Sequence, residues 1–186
     1  MMEDINRFRI LNRLKSIYRH CSVGDRKEST AEHTWSCLML ADFFLGLDDH
    51  GLDRLKVYEL LMYHDVVEIE AGDTPLHPNM SSEGKKEREE KAASKLTLSL
   101  PEHQAEKFRE LFDEFEAQET KEARFAKAID ALEAGIHELD YKEDWKEWTK
   151  EFLVQKKSAL FDDFPEIKKV FEEIVTYMES NGYFDQ

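Results

Sequence analysis

Histidine and aspartate are costly inside helices that are otherwise apolar, so the places where they occur there are the first to examine for chemistry. Three segments of this chain have them. In AEHTW, His33 opens a run dominated by large apolar residues; in LLMYHDVVEIEAGD, His64 and Asp65 follow another. In EARFAKAIDALEAG, Asp130 lies beside Ile129 on a stripe that includes Phe125, Leu132, Ile136 and Leu139. Ala126 and Ala134, at helical spacing on either side of Asp130, leave room next to its carboxylate. Two imidazoles and two carboxylates form a nitrogen and oxygen ligand set without thiolate, suited to Mn, Fe, Co, Ni or Zn. Four protein ligands do not fill an octahedral shell, and the open positions admit water and a substrate oxygen, as metal-assisted hydrolysis requires.

Further polar groups gather at the same spacing. Glu68 follows His64 by one helical turn and can serve as acid or base beside the metal-facing edge. Asp73, just past Gly72, can reach the same mouth from a loop. Two aspartates neutralise a divalent ion, so a phosphomonoester dianion needs another cation; Arg19 is the best placed for that role. His20, His77 and His137 read as ordinary polar residues, and Lys127 as an ion-pair partner or a substrate contact.

These residues must be positioned by helices. The chain has seven glycines, four prolines and 36% charged residues, and no convincing alternating strand. The spacing predicts a first helix over 3 to 18, a polar loop CSVGDRKEST, and a second helix from a Ser29/Glu32 capping box to about Leu47. That second helix carries apolar residues nearly all round, which predicts burial on several sides. A third runs from near Asp53 to Gly72, and residues 72 to 84, with Pro75 and Pro78, form a long irregular stretch at the edge of the site. Helices over about 85 to 99, 101 to 117, 120 to 142, 145 to 160 and 165 to 180 complete a single all-α bundle, with the second and third central.

Composition narrows the function. With 26 Lys and Arg against 41 Asp and Glu, the formal charge of −15 repels nucleic-acid backbones and anionic membranes. A small phosphorylated substrate remains open, because a metal or local cations can reverse the potential inside one pocket. Cys21 and Cys37 lack CxxC spacing and read as reduced thiols of a cytoplasmic protein. The N-terminus, MMEDINRFRI, has neither the apolar core of a signal peptide nor that of an anchor.

The order His33, His64-Asp65, Asp130 resembles the signature of the HD superfamily of metal phosphohydrolases. Arg19, AEHTW, HDVVEIEAGDTP and EARFAKAIDALE are similar to the subgroup containing the 5'-deoxynucleotidases, over residues 14 to about 135. The resemblance implies one divalent metal held by His33, His64, Asp65 and Asp130, with Glu68 and Asp73 needed for activity and Arg19 orienting the phosphate. It also implies that His33, Asp65, Asp73, Asp130 and, more weakly, Thr74 border a small nucleotide substrate, and that the protein is a homodimer. One departure leaves sugar preference open: those nucleotidases have tryptophan after the arginine, where this chain has His20, and the interval to the first metal histidine is one residue shorter. The expected activity is hydrolysis of a nucleoside 5'-monophosphate or similar phosphomonoester. A phosphodiester or pyrophosphate of a signalling nucleotide, and a non-catalytic metal or nucleotide binder, are the alternatives; retention of Glu68 and Asp73 argues against the last.

Overall fold

Ser29 sets where the second helix starts. Its hydroxyl accepts from the Glu32 backbone N–H while the Glu32 carboxylate accepts from the Ser29 N–H at 2.9 Å, so the capping box is complete at the head of α2 (Thr30–Leu47). The computed structural model describes residues 1–48, 51–80 and 83–184. In order, its helices are α1 (Met2–Phe8), α2, α3 (Arg54–Tyr63), α4 (Glu68–Ala71), α5 (Lys85–Ser99), α6 (Glu102–Ala117), α7 (Lys121–His137), α8 (Lys150–Lys157) and α9 (Pro165–Ser180). The expected helical class holds, and α2 and α3 are central as the sequence predicts, with α7 packed against both.

Cys37, Ala41 and Phe44 of α2, Val57, Leu60 and Leu61 of α3, and Phe125, Ile129 and Leu132 of α7 form one core, which α9 extends through Ile167 and Met178. A second core, around Val66, Val67, Leu96 and Phe108, lies beneath α4, α5 and α6. The His64-Asp65 dipeptide sits at the chain's passage between the two.

Four expectations are corrected. The first helix ends at Phe8, continues as 3-10 turns over Arg9–Ser16, and gives way to a hairpin, β1 (Tyr18–Val23) and β2 (Arg26–Ser29), where the sequence suggested only a loop. Gly24 and Asp25 make its two-residue turn, and Gly24 adopts φ +59°, a conformation that glycine takes without steric cost. The third helix breaks after Tyr63. There the His64 Nδ1–H takes the Leu61 carbonyl at 2.7 Å, and the following amides bond three residues back, as in Val66 to Tyr63 and Glu68 to Asp65. The helix predicted for 120 to 142 ends at His137, and that for 145 to 160 shortens to α8 between 3-10 turns. Finally, α2 is not buried on all sides: Trp35, Met39 and Phe43, four residues apart, are 64%, 54% and 58% exposed. The irregular stretch is present over 72–80; its positions 81 and 82 lie outside the described residues.

Candidate functional site

Three elements aim their polar groups at one point. His33 enters from the first turn of α2, His64 and Asp65 from the break after α3, and Asp130 from the middle of α7. His33 Nε2 lies 3.1 Å from Asp130 Oδ1 and 3.8 Å from Asp65 Oδ2; His64 Nε2 lies 3.0 Å from Asp65 Oδ2 and 3.9 Å from Asp130 Oδ1. Ligands bound about 2.1 Å from a common ion stand about 3.0 Å apart at right angles and at most about 4.2 Å apart across it. All four separations fall in that range.

The surroundings fix which atoms face inward. His33 is fully buried and its Nδ1 is held by Glu133 at 2.6 Å, while His64 Nδ1 is held by the Leu61 carbonyl. Each ring therefore turns Nε2 towards the carboxylates. His64 Nε2 is buried and has no hydrogen-bond partner, close though Asp65 is, because the angles do not suit a proton between them. A buried nitrogen without a partner is expensive in a folded protein and fits an electrophile in the space it faces. Lys127 holds Asp130 Oδ2 at 2.9 Å, which leaves Oδ1 to the histidines. Burial opposes the charge on Asp130, but Lys127 and the histidines outweigh it and keep its carboxyl well below the usual range. Cys37 also lies near, with Sγ 3.5 Å from His33 Nε2. Burial pushes its thiol up to about 12, so it packs against the ring as a neutral group while Asp65 stays ionised.

Beside this cluster lies a cavity of about 210 Å³ lined by Arg19, Asp65, Glu68, Asp73, Thr74 and Asp130, among others. Arg19 and Cys21 share one face of β1, and the hairpin is tied down by Ser22, whose N–H and hydroxyl reach Asp144 at 2.7 and 2.8 Å. Arg19 Nη1 stands 3.4 Å from Asp65 Oδ2, and its Nε faces Glu28 at 3.3 Å. Glu68 is buried and accepts from the Thr30 hydroxyl at 2.7 Å. Burial, then the charges of Asp65 and Asp73, push its carboxyl up to about 9. Burial also raises Asp73. The pocket thus holds an ionised pair, Asp65 and Asp130, beside a carboxyl that stays protonated at neutral pH, the separation that acid catalysis needs.

Every site residue expected from the sequence reaches this region. Others were missed. Glu133 is a charge on a buried face of α7, three residues after Asp130, and the rule that singled out Asp130 would have found it. Glu28, on the short polar β2, gives no such signal. Glu138, Trp148, Lys156, Lys157 and Leu160 line the cavity from beyond the motif-bearing segments. His20 lines it too, with its ring 5.4 Å from that of His77.

Glu133→Gln keeps the shape of the side chain but loses the charge that fixes the His33 ring. It is expected to weaken divalent-metal affinity by about 10- to 100-fold, read by competition with a chelating dye, with the helical circular dichroism unchanged.

Comparison with known proteins agrees with this geometry. The chain is 30% identical over 127 residues to the human 5'-deoxynucleotidase HDDC2, covering 68% of this chain and 59% of that protein. It is 31% identical over 125 residues to the 5'-deoxynucleotidase hdd1 of Schizosaccharomyces pombe, covering 63% and 60%. The chain thus spans about three fifths of the length of these curated relatives. A crystal structure from Magnetospirillum magnetotacticum, described as a predicted metal-dependent phosphohydrolase, superposes with a TM-score of 0.87 at 30% identity, over 98% of this chain and 94% of that one. The HD domain model matches residues 11–168, most of the chain and all the residues of the cluster, and the protein belongs to the HD domain family.

Proposed function

We propose that this protein is a metal-dependent phosphohydrolase that releases phosphate from nucleoside 5'-monophosphates or similar small phosphomonoesters. The observation that carries this reading is the convergence of His33 Nε2, His64 Nε2, Asp65 Oδ2 and Asp130 Oδ1 within 3.0 to 3.9 Å of one another, histidine to aspartate, beside a pocket. The 5'-deoxynucleotidase names of the human and Schizosaccharomyces pombe relatives support a nucleotide as substrate. These four residues hold one divalent ion of the first transition row, with Mn, Co, Fe, Ni and Zn all compatible with the donor set. When bound, the ion lowers the pKa of water and offsets phosphoryl charge.

The chain's own groups do the rest. Arg19, steadied between Glu28 and Asp65, presents its guanidinium to the phosphate oxygens. Glu68 keeps its proton through burial and gives it to the leaving oxygen. Asp73 and Thr74, just past Gly72 at φ +74°, border the sugar side of the substrate. The cavity suits a single small ligand better than the two nucleotides of a signalling dinucleotide. Metal-free protein reloaded with each metal and assayed for phosphate release across ribo- and deoxyribonucleotides tests the proposal. Turnover with at least one pairing is expected, and none with any would overturn it.

The exposed stripe of Trp35, Met39 and Phe43, continued by Ile136, supports a homodimer formed through α2. No helix among the described residues is long and apolar enough to cross a membrane. Both cysteines are free, which supports a reducing, cytoplasmic setting. Light scattering after gel filtration should give twice the chain mass. Trp35→Glu with Phe43→Glu should give the monomer mass, because loss of two large apolar contacts weakens association by about 100-fold or more.

A further inference from the structure

Lys157 is buried without an evident reason. It ends α8, in a segment where the sequence shows no motif, its residue is 8% exposed, and it lines the same cavity as Arg19, Asp65 and Asp130. Among the described residues its ammonium makes one hydrogen bond, 2.9 Å to the Ala131 carbonyl, one residue past Asp130. An ammonium has three N–H donors, and burying it with one neutral partner is costly unless something else meets its charge.

The other cations around the cavity are engaged. Arg19 faces Asp65 and Glu28, Lys127 is bonded to Asp130 at 2.9 Å, and Lys85 stands 3.5 Å from Glu89. Lys156 is exposed and lies over the Phe152 ring. Of the five, Lys156 and Lys157 have no carboxylate in ion-pair contact among the described residues, and of these two only Lys157 is buried, although Glu138 and Asp130 act on it from farther off. Arg19 acts on it too, and repels it. Two cations that repel each other at the wall of one pocket are reconciled by an anion between them.

We propose that Lys157 is a second cationic contact for the phosphoryl group of the substrate, arriving from α8 as Arg19 arrives from β1. The proposal rests on the phosphohydrolase reading above. It gives the C-terminal part of the chain a direct role at the site. It also answers a charge problem: Asp65 and Asp130 cancel a divalent ion, Asp73 adds a negative charge, and a phosphate dianion then needs more than one side-chain cation. A purely structural role, tying α8 to α7 through Ala131, does not require a charge.

The test uses the full-length, metal-loaded chain and inorganic phosphate as probe. Lys157→Met should lower kcat/KM by about 100-fold and weaken phosphate inhibition by about 10-fold or more. Inhibition by the uncharged nucleoside should not change. Phosphate should raise the melting temperature of the wild type and of Lys157→Arg, but much less that of Lys157→Met. Without phosphate, Lys157→Met should be at least as stable as wild type, since an apolar side chain replaces a buried cation. Equal phosphate binding by Lys157→Met and wild type would overturn the proposal, and so would weakened nucleoside binding with phosphate inhibition intact. If Lys157→Met does not fold, loss of the phosphate-induced shift in Lys157→Arg would overturn it. Absence of wild-type turnover on every substrate would count against the hydrolase reading, while the melting shifts would still decide the role of Lys157.

Discussion

Asp65→Ala is expected to lower kcat/KM for phosphate release by at least about 10³-fold, roughly 4 kcal/mol of transition-state stabilisation. The carboxylate combines two contacts that no other carboxylate combines among the described residues. Its Oδ2 approaches both His64 Nε2, at 3.0 Å, and His33 Nε2, at 3.8 Å, and it is the site carboxylate in ion-pair contact with Arg19. The substitution therefore removes an ion ligand and frees the phosphate-orienting arginine together. The fold should survive, because Asp65 raises the cost of ionising Glu68 and Asp73 and its loss relieves repulsion among buried acids. Phosphate release, metal content and thermal melting measured on one preparation check this. Full activity would refute the role, and lost activity together with lost helical signal would point to a folding defect.

Glu68→Gln is expected to lower kcat by about 10²- to 10⁴-fold on a nucleotide and far less on p-nitrophenyl phosphate, whose leaving group needs no proton. The pH dependence carries the sign. Glu68 acts in its protonated form, burial and the charges of Asp65 and Asp73 push it up to about 9, and a bound divalent cation pulls it back down. Wild-type kcat should therefore fall as pH rises on a limb below 9, and that limb should be absent in the glutamine variant. An alkaline limb retained by Glu68→Gln, or equal losses on both substrates, would assign Glu68 another role.

The metal-facing residues were legible because they break a pattern. Histidine and aspartate in segments such as LLMYHDVV stand out against apolar neighbours, and the helices that carry His33 and Asp130 follow from capping and from the period of the core stripe. The hairpin was hidden for the opposite reason: YRHCSV and RKES are largely polar and short, so the Gly24-Asp25 turn was its only mark. The break at His64 comes from a side chain competing with an amide for the Leu61 carbonyl, which periodicity does not encode. The apolar circumference of α2 implies burial on several sides, whereas Trp35, Met39 and Phe43 leave an open stripe. The pocket wall formed by Trp148 and Lys157 depends on how α8 folds back beside α7, a long-range contact without a local signal.

The central claim is that four side chains far apart in sequence bind a single ion. Crystals grown with Mn or Co and measured at the absorption edge test it most directly. One anomalous peak per chain is expected, about 2.0 to 2.2 Å from His33 Nε2, His64 Nε2 and an oxygen each of Asp65 and Asp130, with further density on the open side facing Arg19. No peak at that position in metal-loaded protein, or a peak whose ligands exclude these residues, would contradict the account.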